Sequence, residues 1–140
     1  MKSESDLAVD LLSELQVQLG PKYRVTPAYA SASIEGLSPN SRPDIVVSGS
    51  FNTPVLIEIR GIDSDQDLPI STAYVTKILR EANSAIEPRI VILTKSKIGS
   101  LLKDELDSQG VKSFNATNFR RMVSELTQFI KGGEKKHQEA

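Results

Sequence analysis

The chain has 140 residues, 39% hydrophobic and 25% charged, with no cysteine and a formal net charge of −1 from seventeen basic and eighteen acidic residues. A disulfide framework and any cysteine-ligated zinc or iron–sulfur centre are therefore excluded. The charge balance argues against capture of nucleic acid by bulk positive potential. The length fits one ordinary domain that needs no metal or disulfide to fold. With His137 the only histidine, multi-histidine metal sites and Ser-His-Asp catalysis fit poorly, so chemistry falls to carboxylates, Lys, Arg, hydroxyls and backbone. The opening MKSESDL does not have the charged-then-apolar pattern of a signal peptide. No apolar run approaches the roughly 20 residues of a membrane span. A cytoplasmic protein without membrane association is expected.

Ser3 or Ser5 can cap a first helix in which Leu7, Leu11, Leu12, Leu15 and Leu19 recur at three-to-four spacing before Gly20-Pro21. Glu14 lies seven positions after Leu7, about 20° from it on the helical wheel. A carboxylate there either meets a cation or metal, or sits at the stripe's edge and reaches water. Tyr23 to Ile34 is rich in β-formers and predicts a strand, weakened by Pro27 and Ala30-Ser31-Ala32-Ser33. After a polar loop, Pro43–Ser48 and Pro54–Arg60 read as strands joined by Gly49-Ser50-Phe51-Asn52-Thr53, a loop of hairpin length.

An acidic loop leads to an expected helix over Ser71–Ile86, with Tyr74, Val75, Ile78, Leu79 and Ala82 on one face. Arg89–Thr94 is a continuous apolar run of the kind found in buried central strands. Ile98–Ser108 predicts a helix stopped at Gly110, Val111–Phe114 a short strand, and Asn118–Ile130 a last helix capped by Thr117 or Asn118. Residues 132–140 read as a flexible tail in which His137 is a solvated bystander. Residues 1–131 then form a single domain, and no internal repeat is visible. The order predicts an α/β fold: an antiparallel three-strand meander, a later parallel strand-helix-strand unit, and a mixed sheet with helices on both faces.

Alternation along the third strand puts Leu56, Glu58 and Arg60 on one face. Folding the hairpin about Phe51 sets position 44 against position 58, with cross-strand Cβ atoms about 4.5–5.5 Å apart. Asp44 and Glu58 then stand side by side, with Arg60 one pleat further on. Two carboxylates at that distance repel unless a cation sits between them. Oxygen ligands in a small cluster suit Mg²⁺ or Mn²⁺, ions that polarise a phosphodiester and activate water.

Arg42-Pro43-Asp44, thirteen intervening residues and Glu58-Ile59-Arg60 resemble the signature of the PD-(D/E)XK nuclease superfamily, the restriction-endonuclease-like fold. Its core order of helix, three strands, helix and strand corresponds to residues 3 to 94, leaving a C-terminal helix-strand-helix elaboration. The resemblance implies metal-binding roles for Asp44, Glu58 and the Ile59 carbonyl, with Glu14 as a supporting acid from the first helix. It also implies Mg or Mn as cofactor and hydrolysis of DNA phosphodiester bonds. Arg60 departs from the pattern, which has Lys at this place. Arg stays protonated and presents a planar fork; it either clamps a phosphate oxygen or turns onto Asp44 and Glu58 and replaces the ion. Lys77, on the expected second helix, is a candidate displaced lysine, set against an ordinary surface role.

Asp63, Asp65 and Asp67 alternate like a calcium loop, but Leu68 and Tyr74 stand where that loop needs Gly and Glu. Lys95 and Lys97 follow the central strand near its carboxyl end and are candidate phosphate contacts. They and Arg120-Arg121 are equally readable as solvated cations. There is no Gly-rich phosphate loop, and aromatic residues amount to 5%, too few for a base-stacking platform. Three functions stay open: a metal-dependent DNA nuclease, a catalytically inactive module of that fold binding DNA or a protein as a homodimer or in a larger assembly, and an unrelated small α/β regulatory domain.

Overall fold

A computed structural model describes residues 4–27, 43–49, 54–60, 89–94, 99–108 and 110–139. The element order is α1 (Glu4–Leu19), β1 (Tyr23–Pro27), β2 (Ile45–Gly49), β3 (Val55–Arg60), β4 (Arg89–Thr94), α2 (Ser100–Ser108), β5 (Val111–Asn115) and α3 (Phe119–Glu139). The strands form one five-stranded sheet in sequence order. β1, β2 and β3 pair antiparallel, and β3, β4 and β5 pair parallel. The meander and the later parallel unit are thus as the sequence predicts. The expected helix over 71–86 lies outside the described residues.

Each strand sorts its side chains by parity. Val55, Ile57 and Ile59 join Ile45, Val47, Val91, Leu93 and Phe114 in one apolar cluster with the leucines of α1 and with Met122, Val123, Leu126 and Ile130 of α3. On the opposite parity, Val46, Leu56, Ile90 and Ile92 are also fully buried. β4 is therefore buried on both faces, as its unbroken apolar run requires. Thr26, opposite Val46 in the register, is buried with no hydrogen-bond partner for its hydroxyl.

Two polar side chains tie helices to the sheet. Gln16 of α1 donates from Nε2 to the Gly20 and Tyr23 carbonyls (3.1 and 2.9 Å), and its Oε1 accepts the Val25 N–H at 3.1 Å. The amide engages the outer side of β1 as a one-residue neighbour strand would, which blunts that edge as a template for aggregation. Gly20, with φ +84, makes the turn between them, a conformation that favours glycine.

Arg89 of β4 donates from Nη1 and Nη2 to the Phe129 and Ile130 carbonyls of α3 at 3.1 and 3.2 Å and stacks over the Phe129 ring. Desolvation by burial pulls its guanidinium below the ordinary arginine range, against a smaller opposing effect of Tyr23. The helix expected to stop at Ile130 stays helical through Gly132 and Gly133 to Glu139. Each glycine disfavours a helix by about 1 kcal/mol relative to alanine. Arg89 engages the carbonyls just ahead of that pair.

Candidate functional site

The site sits where β2 begins and β3 ends. The β2–β3 register pairs Ile45 with Ile57, Val46 with Leu56 and Val47 with Val55. One rung further out, position 44 meets position 58. β2 starts at Ile45, and one physical reason is Pro43: the position facing Ile59 has no N–H to complete the ladder. Asp44 adds a side-chain rung to the other backbone group of Ile59. Its Oδ2 accepts the Ile59 N–H at 2.7 Å, a short charge-assisted bond. This leaves the Ile59 carbonyl, on the same side of β3, facing a residue that cannot donate to it.

Glu58 is half-buried and shares its face with Leu56, beside Ile92 of β4 in the parallel register. Arg60 closes β3, with its backbone beside Thr94. Asp44, Glu58 and the Ile59 backbone are thus neighbours in the fold. All three supply oxygen, the donor type that Mg²⁺ and Mn²⁺ prefer.

Glu14 belongs elsewhere. It is half-buried on α1, accepts from Gln18 Nε2 at 3.1 Å, and lines a groove with Phe119, Arg120 and Val123 of α3. That groove is on the side of the sheet holding Ile57 and Ile59, whereas Glu58 has the opposite parity. Glu14 thus shares its groove with the Arg120 cation on the far face of the sheet from Glu58. Among the described residues, no three Asp, Glu or His side chains form a group able to hold a metal. Lys77, Lys95 and Lys97 lie outside the described residues.

Sequence reasoning missed two features. Gln16 looks like any solvated helix residue, and only the Gly20 turn puts β1 within its reach. The other is a polar cavity at the carboxyl ends of β4 and β5, lined by residues such as Ser113, Asn115 and Asn118. None of these carries a motif, and the cavity exists only once two strands and two helices meet.

No family model, curated protein or solved structure matches this chain. No helix among the described residues is long and apolar enough to cross a membrane.

Proposed function

We propose that the protein is a metal-dependent, nuclease-like protein whose substrate is the DNA phosphodiester bond, with Asp44, Glu58 and the Ile59 carbonyl as ligands of Mg²⁺ or Mn²⁺. The Ile59–Asp44 hydrogen bond carries this reading. It holds one carboxylate oxygen against β3 and so fixes the side chain at the rung next to Glu58, with the second oxygen as the natural ligand. A bound ion would polarise the phosphodiester and lower the pKa of an attacking water. Asp44 and Glu58 would hold that centre, and a guanidinium at position 60, always protonated, is of the kind that pairs with a phosphate oxygen.

A second reading is a catalytically inactive module of the same kind that binds DNA or a protein partner. It is favoured by Arg60 in the place of lysine and by the two-carboxylate grouping, which lacks a third acid among the described residues. Titrating Mn²⁺ into isotope-labelled protein separates the two. Paramagnetic broadening centred on the amides of Asp44, Glu58 and Ile59, and lost in Asp44→Asn, supports the metal site, and DNA cleavage assays in Mg²⁺ then test activity. No localised broadening at millimolar Mn²⁺ refutes the metal site and leaves the inactive module.

A further inference from the structure

The cavity at the carboxyl ends of β4 and β5 opens on the same face of the sheet as Glu58, one to two strands away, and neither Asp44 nor Glu58 lines it. It is an open cleft of about 440 Å³, a volume within the range of small-molecule sites. Thr94 of β4, Ser113 and Asn115 of β5, Lys103 of α2, and Asn118 and Arg121 at the entry to α3 line it. Sheets of this class place ligands at the carboxyl ends of parallel strands.

The hydrogen bonds already made around this cavity determine what chemistry is left facing it. Asn115 Oδ1 accepts the Thr117 N–H at 2.8 Å, and Asn118 Oδ1 accepts the Arg121 N–H at 3.1 Å. With both amide oxygens engaged by backbone, the NH₂ groups of these side chains are turned to their remaining surroundings as donors. Lys103 and Arg121 add positive charge from two different helices. The single carboxylate among the described lining residues, Glu125, is held by Arg121 Nε at 2.9 Å. That bond uses one donor of the guanidinium and leaves its paired Nη groups, whose geometry matches two oxygens of one phosphate. The Thr94 and Thr117 hydroxyls give their protons to the Phe114 carbonyl and Asn115 Oδ1, so the donors facing the cavity are the two amides, Lys103 and Arg121. Two cations with amide donors suit an oxyanion better than a metal ion, which needs acceptors.

We infer that this cavity binds a phosphate group, carried either by a small phosphorylated molecule or by a nucleic-acid strand. The test is an NMR titration of the isotope-labelled full chain at constant ionic strength. Three probes are used: inorganic phosphate, thymidine 5′-monophosphate and a short oligothymidylate. The amides of Ser113, Asn115, Thr117 and Asn118 are expected to shift together. Lys103→Gln and Arg121→Gln are each expected to weaken binding about tenfold or more, since each removes a charged partner. Both side chains are exposed, so the variants retain the fold, and unchanged spectra elsewhere check this.

A mononucleotide that binds as well as the oligonucleotide identifies a small phosphorylated ligand. Tighter oligonucleotide binding that falls steeply with salt identifies a strand. Absence of localised shifts with all three probes overturns the inference, as do shifts that neither variant weakens. The readout needs no divalent metal and no cleavage, so its failure is distinct from failure of the metal site.

Discussion

Asp44 is assigned two jobs, closing the β2–β3 ladder and supplying a metal ligand, and substitution can separate them. Asp44→Ala removes the carboxylate that accepts the Ile59 N–H. A hydrogen bond to a charged group contributes about 1.5–3 kcal/mol net, and Asp44 is half-buried, so water partly replaces it; a loss of about 2 kcal/mol is expected. For 140 residues, an unfolding entropy of about 2.1 cal/mol/K per residue gives about 0.3 kcal/mol/K, hence a fall in Tm of about 7 °C. Asp44→Asn keeps an acceptor oxygen in place and loses only the charge. Its expected cost is about 1 kcal/mol, or about 3 °C. Metal separates the roles further. At a Mn²⁺ concentration of about 100 Kd the native protein gains about 2.7 kcal/mol, and Asp44→Asn gains little. Scanning calorimetry with and without Mn²⁺ reads all of these values. Equal losses for Asn and Ala would show that the acceptor geometry is not what matters. Equal metal stabilisation of native protein and Asp44→Asn would place the ion elsewhere.

Gln16→Ala is expected to lose about 2 kcal/mol, from three bonds of about 1 kcal/mol each less the helix propensity gained. Gln16→Glu sets a carboxylate against the Gly20 and Tyr23 carbonyls, so its folded-state pKa should rise above the unfolded one. Its deficit should then shrink as pH falls through that raised value; urea unfolding of both variants across pH tests this, and parallel curves would refute it. Arg89→Met should lose about 2–3 kcal/mol and speed amide exchange beyond Ile130, and Arg89→Lys should restore less than half because it lacks the fork. Amide exchange in α3 unchanged by Arg89→Met would contradict the role given to that clamp. Thr26→Val should be neutral or stabilising by up to about 1 kcal/mol, since its buried hydroxyl has no partner; a loss greater than 1 kcal/mol in chemical denaturation would count against this.

The strands were legible where the pattern left one solution. Arg89–Thr94 is apolar throughout because both its faces are covered, and a five-residue hairpin loop sets 44 against 58 by counting alone. The first leucine stripe was equally plain: Leu7, Leu11, Leu15 and Leu19 are all buried. Glu14 was harder because wheel angle locates a residue to within about a turn's width, not which neighbour it meets, and that neighbour is α3. The length of α3 was hidden for a different reason. Propensity counts Gly132 and Gly133 against a helix, while Arg89, far away in sequence, acts on the carbonyls before them. Pro43 was read as the opening of a strand, and the observed strand starts two residues later, with the Asp44 side chain accepting the Ile59 N–H.

Gln16 also bears on how copies of this chain can assemble. A sheet extends across a two-fold axis when the same strand of each protomer pairs with its mate, an isologous contact that needs unoccupied backbone groups. At Tyr23 and Val25 those groups are already engaged by the protomer's own amide. Joining two copies through β1 would first require Gln16 to let go in both. While Gln16 holds, symmetric strand pairing through β1 is closed, so any assembly of copies has to use another surface or bear the cost of releasing that amide twice.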